Sequence, residues 1–213
     1  MRRSSGEDAA LHIRRLIFDG TLRPGDRVPQ DEIAQTLGLS RIPIREALIA
    51  LEREGWVTIE LHRGAFVNAL DEPAVRDHYD LFALIYGFAV RRATTRDQTG
   101  LSARLHELAG RVASGDDPAE LQRLVLAFHA TIVDTAASPR VAVLLRAMSG
   151  LVPGNFFALV PGAADVERAG LAAIAQAVDA ADGDRASEEY AQMMRRQGEL
   201  VVELFQRRGL FDD

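Results

Sequence analysis

Apolar residues recur at helical spacing through the first part of the chain, and two such patterns stand close together. Residues 33–37 carry apolar side chains at i, i+1 and i+4, and Gly38 follows, a residue type that commonly ends a helix. Residues 44–51 form a second apolar stripe at i, i+3, i+4 and i+7, and Gly55 lies beyond it. The pattern predicts two helices joined by a Gly-Leu-Ser turn.

The beginning of the second helix has residue types that are typical of a helix N-terminus. Ser40 is predicted to cap it by accepting backbone N–H groups. Pro43 is tolerated because the first turn has no intrahelical hydrogen bond to lose. With about 3.6 residues per turn, Arg41 and Arg45 point away from the apolar stripe. Two exposed arginines are therefore expected, one turn apart.

After Gly55 the period changes from that of a helix to that of a strand. Residues 56–59 and 65–67 alternate like strands, and residues 61–64 between them read Leu-His-Arg-Gly. The segment is therefore predicted to be a winged helix-turn-helix, with His62 and Arg63 at the tip of the wing. Such a motif places the N-terminal residues of its second helix against base edges in the major groove.

Several of these residue types suit contacts with DNA. The guanidinium groups of Arg41 and Arg45 can each donate two hydrogen bonds to guanine or hold a phosphate. The Ser40 hydroxyl suits a phosphate oxygen, and His62 and Arg63 are placed to reach a minor groove or the backbone. An isolated arginine pair on a helix is usually only solvated. The combination of turn glycine, serine, first-turn proline, arginine pair and wing is far more specific.

Beyond Asp71-Glu72-Pro73 the strand-like alternation stops and only helical periodicity remains. We predict a mainly α fold with two domains, a winged helix-turn-helix in residues 1–70 and an all-helical bundle in residues 71–213. Turn-forming residues separate six predicted helices, over residues 72–94, 97–113, 118–136, 138–150, 165–181 and 184–208.

Charge and composition refine this interpretation. The 213 residues carry a net charge of −6, but residues 1–70 hold ten arginines and ten acidic residues, so the acidity belongs to residues 71–213. A neutral first domain with arginines on one face is expected to bind DNA specifically, with little indiscriminate affinity. The lack of cysteine excludes disulfides and thiol catalysis. No apolar run reaches the roughly 18 residues of a membrane helix, so a cytoplasmic protein is expected.

Residues 20–57 resemble the N-terminal domain of the GntR family of bacterial transcription regulators. The family pattern is Gly-x-Leu-x-Pro-Gly, then Leu-Gly-Val-Ser-Arg-Thr-Pro-Val-Arg-Glu-Ala-Leu, then Leu-x-x-x-Gly. Ile42 departs from it, since the family commonly has a phosphate-bonding threonine there. The matching positions are Gly20, Leu22, Pro24, Gly25, Leu37, Gly38, Ser40, Arg41, Pro43, Arg45, Glu46, Ala47, Leu48, Leu51 and Gly55. We predict DNA contacts at Ser40, Arg41, Pro43, Arg45, His62, Arg63 and Gly64, of which the resemblance implies Ser40, Arg41, Arg45, Arg63 and Gly64.

A winged domain followed by a helical bundle resembles the FadR-like branch of that family, which has a C-terminal ligand-sensing (FCD) domain. Many relatives hold a divalent metal there through an aspartate, the histidine of a Phe-His pair four residues later, and two further histidines. Here the pair is Phe128-His129, Val125 stands at the aspartate position, and no histidine follows. Because a tight site needs three or four converging donors, we predict no metal and no other cofactor.

The same resemblance points to a cavity with less polar walls. His129 lies on the apolar face of its helix, where it is either a hydrogen-bonded core residue or the polar anchor of an effector cavity. Phe82 and Tyr86 stand where relatives commonly have an arginine and a glutamate. With Val125 and Gln197 these residues make up the predicted effector pocket. Either the effector is more apolar or more weakly charged than a small carboxylate, or side chains fill the cavity and no effector exists.

The predicted function is that of a transcription repressor that binds a double-stranded DNA operator as a homodimer, with its affinity set by a small-molecule effector. A regulator or architectural DNA-binding protein without an effector is the alternative. An enzyme is not expected, because His78, His106 and His129 lie on separate helices without the spacing of a catalytic pair.

Overall fold

The computed structural model describes residues 4–69, 71–148, 151–152 and 154–211. Their elements are α1 (Ser5–Phe18), α2 (Gln30–Leu37), α3 (Arg41–Arg53), β1 (Val57–Glu60), β2 (Gly64–Val67), α4 (Glu72–Ser114), α5 (Pro118–Ala136), α6 (Pro139–Met148), α7 (Phe156–Leu159), α8 (Ala163–Asp179) and α9 (Gly183–Arg208). This confirms the predicted fold class. In these ranges no helix has the length and apolar character needed to cross a bilayer.

The chain divides into two compact units. The first consists of Met1–Glu72, Gly150–Gly154 and Leu204–Asp213, and the second of Pro73–Ser149 and Asn155–Glu203. The end of α9 thus belongs with the first unit. The domain division after residue 70 stays a prediction.

In the first unit, α1 is held against α3 by apolar packing and by one ion pair. Ile13 of α1 and Ile44 and Leu51 of α3 are fully buried in a common core. The Arg14 guanidinium donates to the Glu54 carboxylate through Nε at 3.0 Å and Nη2 at 2.7 Å. These contacts lie at the side of α3 opposite its exposed arginines, so that face stays open.

The turn between α2 and α3 follows the prediction except at Ser40. Gly38 is in the left-handed conformation, with φ 64° and ψ 32°, as its position past a helix end requires. Ser40 is the N-cap residue of α3, but its side chain makes no capping hydrogen bond. The predicted cap is therefore wrong, because Pro43 occupies the third helical position and has no N–H to donate.

The wing is a two-stranded antiparallel sheet in which Val57 pairs with Val67 and Glu60 with Gly64. The segment before α2 runs along β2, where the Val28 N–H donates to the Ala65 carbonyl at 2.8 Å. The pairing places Arg27 beside the wing.

The second unit contains α4 and most of the helices after it. The helices predicted over residues 72–94 and 97–113 lie within α4 on the two sides of a kink at Asp97, whose φ of −154° and ψ of 71° are not helical. This break lies two to three residues after the one predicted at Thr94-Thr95, since the first helix continues through both threonines, whose hydroxyls donate to carbonyls four residues earlier at 2.8 and 3.0 Å. The kink is held by the Asp97 carboxylate, which accepts the Gly100 N–H at 3.1 Å.

The later helices lie within a few residues of their predicted bounds. The end predicted for the helix over 138–150 lies outside the described residues, which show it as far as Met148. The long predicted break before α8 contains the short helix α7, capped by the Asn155 side chain, which accepts the Ala158 N–H at 3.2 Å. This turn brings Phe156 and Phe157 to the cavity described below.

Candidate functional site

The N-terminal end of α3 presents the two predicted arginines to solvent. Arg41 and Arg45 are exposed, whereas Ile44, Ala47 and Leu48 between and after them are buried. The Arg41 Nε lies 2.8 Å from the Asp31 Oδ1, and the two side chains are 76% and 71% exposed. An ion pair this exposed contributes at most about 1 kcal/mol, so a phosphate or base edge can replace Asp31 at little cost.

Two further predicted contacts lie at this helix end. The Ser40 hydroxyl is not used as a cap and remains available as a donor. Pro43 is half-buried, and its carbonyl lies close to Gly6 of α1, which packs against this turn. A larger residue at Gly6 would push on the Glu46 carboxylate, 3.2 Å from an ideal Cβ, so α1 approaches α3 closely here.

The tip of the wing carries the other three predicted residues. His62 is exposed and has a positive φ of 63°. Arg63 forms an ion pair with Glu60 and lies over the Phe66 ring, 5.5 Å from its centroid. Gly64 has φ 115°, a conformation that L side chains rarely adopt. The wing therefore presents one imidazole and one guanidinium on a constrained turn.

Arg27 belongs to the same surface, although no periodic pattern in the sequence indicated it. Its Nε would lie 2.8 Å from a Cβ at Gly64, so a glycine is required for this approach. Residues 27–32 line a groove together with Arg41 and Arg45. The surface between α3 and the wing thus holds a third guanidinium among residues predicted to contact DNA.

The second unit contains a cavity of about 160 Å³. Its walls are mostly aromatic and apolar, with four polar side chains among them. They are Tyr79, Phe82, Tyr86, Gln122, Val125, Leu126, His129, Phe156, Phe157, Glu167, Met194 and Gln197. All five predicted pocket residues are in this set. Their role in binding an effector stays a prediction.

Glu167 is the most important cavity residue that was not predicted from the sequence. It is 4% exposed and lies on α8, on the same face as the buried Ala163 and Leu171. A carboxylate at i+4 within an apolar stripe was the available signal. Burying such a group is costly unless it receives hydrogen bonds.

Glu167 is held by two side chains from other helices. The Gln197 Nε2 donates to its Oε2 at 2.8 Å, and the His129 Nε2 lies 3.2 Å from its Oε1. The other ring nitrogen, Nδ1, lies 3.0 Å from the Tyr190 hydroxyl. With Nε2 protonated, His129 donates to Glu167 and accepts from Tyr190. His129 is therefore both a hydrogen-bonded buried residue and part of the cavity wall.

Aromatic rings extend from this network along α4. The rings of Phe82 and Tyr86 are 5.9 Å apart, and those of Tyr86 and Tyr190 are stacked at 5.2 Å. Burial, and secondarily the Glu167 charge, raises the pKa of the Tyr79 and Tyr86 hydroxyls. Both tyrosines therefore remain neutral donors at physiological pH.

The donor set does not suit a metal ion. Within the described ranges no three or more histidine, aspartate or glutamate side chains are grouped as a metal site. Near the cavity, His129 and Glu167 form a pair, which is fewer than the three or four donors of a tight site.

A winged helix-turn-helix with exposed arginines, followed by a helical unit with a cavity, is the architecture of a transcription regulator. Comparison with known proteins agrees with this class. The family described as "Bacterial regulatory proteins, gntR family" matches residues 6–67, and the "FCD domain" matches residues 75–196. The chain belongs to the GntR family of bacterial regulators, and its second part is an FCD domain.

Relatives have names of the same kind. An HTH-type transcriptional regulator of Mycobacterium tuberculosis is 34% identical over 151 residues, which are 71% of this chain and 62% of that protein. The gluconate operon transcriptional repressor of Bacillus subtilis is 29% identical over 133 residues, 61% of this chain and 54% of that protein. The chain thus spans less than two thirds of the length of these relatives. Their names are those of transcription regulators and not of enzymes.

A solved structure supports the fold independently. A GntR-family transcriptional regulator from Pseudomonas syringae pv. tomato has a TM-score of 0.59 and 22% identity, over 96% of this chain and 87% of that one. At this identity the likeness concerns the fold alone.

Proposed function

We propose that the protein is a sequence-specific DNA-binding transcription repressor. The observation that carries this proposal is the exposed N-terminal end of α3, where Arg41 and Arg45 share one groove. Their guanidinium groups are free of strong internal partners and suited to guanine edges or phosphates. Ser40, Pro43, His62, Arg63 and Gly64 complete the proposed DNA-contacting surface.

Repression is proposed as the sign of regulation. The Bacillus subtilis relative bears the name of an operon repressor and aligns over 61% of this chain. A bound protein that covers a promoter needs no contact with the transcription machinery to reduce expression.

Control by a small molecule is proposed for the cavity of the second unit. Phe82, Tyr86, Val125, His129 and Gln197 lie around one space, with apolar walls and a few polar groups. This combination is typical of small-molecule sites. An effector there would act by binding one arrangement of the protein more tightly than another.

A homodimer is proposed because a two-fold axis would match an inverted-repeat operator. Leu81, Leu84 and Phe88 of α4 lie at i, i+3 and i+7 and are 50%, 70% and 48% exposed. Three large apolar side chains on one helix face are typical of an interaction surface. We assign this face to the contact between two copies of the chain.

Selection of duplexes from a random-sequence library by the full chain tests the proposal. We expect enrichment of an imperfect inverted repeat and a footprint confined to it. An architectural DNA-binding protein, the alternative function, would instead coat DNA broadly and enrich no motif, which would contradict specific regulation.

A further inference from the structure

The orientation of the Gln197 amide leaves a buried acceptor without a donor. The Gln197 Nε2 donates to the Ala163 carbonyl at 3.0 Å and to the Glu167 Oε2 at 2.8 Å. Both N–H groups of the amide are thereby used. If the amide nitrogen and oxygen exchanged places, the oxygen would face two acceptors, the Ala163 carbonyl and the Glu167 carboxylate, and neither hydrogen bond could form. The Oε1 is therefore correctly placed, yet it is buried and has no hydrogen-bond partner among the described residues. An unpaired buried acceptor is costly and calls for a donor.

The Glu167 carboxylate lies beside this amide and retains acceptor capacity. It is 4% exposed and receives one hydrogen bond on each oxygen, from His129 and Gln197. A carboxylate has about four lone-pair sites, so further donors can be accommodated. No arginine is among the cavity-lining residues in the part of the chain that the structure covers. The polar end of the cavity is accordingly rich in acceptors.

The remaining walls suit an apolar or aromatic body with a positive charge. Phe82, Tyr86, Phe156 and Phe157 line the cavity, and their rings pack in pairs, with centroids 5.9 Å apart for Phe82 and Tyr86 and 5.4 Å apart for Phe156 and Phe157. Aromatic faces attract ammonium groups through the ring quadrupole. The volume of about 160 Å³ is close to the roughly 150 Å³ of an engineered cavity that binds benzene.

We infer that this cavity binds a small organic ammonium ion with a body of about one ring, whose N–H groups are received by the Glu167 carboxylate next to the Gln197 amide. The inference rests on the effector role proposed above for the same cavity. A carboxylate ligand would meet the Glu167 carboxylate, and no arginine or lysine is among the described residues that line the cavity. A neutral ligand would leave the charge-assisted hydrogen bond to Glu167 unmade.

Calorimetric titration of the full chain with three ligands of similar size tests the charge preference. Benzylammonium is expected to bind at least about tenfold more tightly than benzyl alcohol or benzoate, because only it brings a charged donor. Equal or tighter binding of the alcohol or of benzoate overturns the inference. Failure of benzylammonium to bind also overturns it.

Variants locate the binding site. Glu167→Gln removes the charge with little change of shape and is expected to abolish the preference for benzylammonium. Glu188→Gln, at an exposed position of α9, is the matched control and is expected to keep it. Val125→Phe fills the cavity and is expected to abolish binding in a protein with its carboxylate intact. Unchanged binding by Val125→Phe overturns the assignment even if Glu167→Gln fails to fold.

Operator binding measured in parallel separates the two proposals. If benzylammonium binds but operator affinity does not change, the ligand class is supported and effector control by it is contradicted. If the operator is bound and the cation is not, only the ligand class is overturned.

Discussion

Every basic residue in this protein other than histidine is an arginine. The surroundings of each arginine determine its role. The Arg14 side chain is 14% exposed and donates hydrogen bonds from two nitrogens to the Glu54 carboxylate. The Arg41 side chain is 76% exposed beside an equally exposed Asp31. The first arrangement stabilises the fold, because leaving Glu54 unpaired would be costly. The second leaves the guanidinium available to another acceptor.

Arg45 is the residue for which a single substitution tests the DNA-binding surface best. Arg45→Ala is expected to weaken operator binding by about 1–3 kcal/mol if the guanidinium reads a base. Arg53→Ala, at the exposed C-terminal end of the same helix, is the matched control and is expected to have a much smaller effect. Fluorescence anisotropy with the selected operator measures both. Equal losses in the two variants would contradict the assignment of Arg45.

The pH dependence of stability tests whether His78 is buried in the folded chain. Burial lowers the pKa of His78 to about 4, and its ring packs edge-on against Phe82 with centroids 4.7 Å apart. The unfolded chain takes up a proton near pH 6.5 and the folded chain does not, so stability falls as pH falls from about 6.5 to 4.

His78→Phe is expected to remove this component of the pH dependence, on the order of 2 kcal/mol between pH 7 and pH 4. Urea unfolding of both proteins across that range is the measurement. Parallel stability curves for the two proteins would show that His78 is protonated equally in the folded and unfolded states.

At the scale of elements, the exposed end of α3 is useful only because α1 holds the rest of that helix. Ile13 is fully buried against the α3 stripe, and Arg14 fastens α1 to Glu54 beyond the last turn. The wing is supported in a similar way by the segment that carries Arg27, which pairs with Phe66. Each element of the proposed DNA-contacting surface is therefore held in place by a neighbouring segment of the same unit.

The tether between α1 and α3 can be tested by comparing adjacent arginines. Arg14→Ala is expected to lower the free energy of unfolding by about 1.5–3 kcal/mol, since a charged hydrogen-bonded pair is lost. Arg15→Ala, at the neighbouring exposed position, is expected to change it by less than about 0.5 kcal/mol. Chemical denaturation measures both. Similar values for the two variants would mean that the ion pair does not stabilise this unit.

At the scale of the whole molecule, the charges that sum to −6 are unevenly distributed along the chain. Residues 1–70 are neutral, and the acidic excess lies in residues 71–213. General attraction to DNA is therefore expected to be weak, so the proposed specific contacts and the proposed pairing of two copies would supply the affinity. Doubling the number of DNA-contacting surfaces is the simplest way for such a chain to bind one site tightly.

Leu84→Glu tests the assignment of the exposed α4 face to the homodimer. A charge placed at this 70% exposed leucine is expected to weaken self-association at least about tenfold, because it would be buried without a partner in the dimer. Leu144→Glu, at a 51% exposed leucine of α6, is the control. Sedimentation velocity measures the mass of each. A Leu84→Glu protein with unchanged mass across concentrations would contradict this interface.

Much of the fold and part of the candidate sites could be predicted from local pattern. The stripe of α3, the left-handed Gly38 and the alternating wing are each decided by neighbours within a few residues. The break predicted at Thr94-Thr95 lies a little further on, at Asp97, because a threonine hydroxyl bonded to its own helix does not end that helix. Phe82, Tyr86, Val125 and His129 were predicted to share a cavity because a family resemblance carries information about positions that are distant in sequence, and they line one cavity in the structure.

What the chain by itself determined was therefore the identity of its elements and the exposed face of α3. Tertiary structure alone decided which side chains meet. His129 reaches Glu167 and Tyr190 across 38 and 61 residues, and Arg27 meets Gly64 across the groove. Periodicity reports which face of a helix is buried but not which other helix covers it. That choice depends on the packing of all the helices at once, and the acceptor-rich end of the cavity exists only as its result.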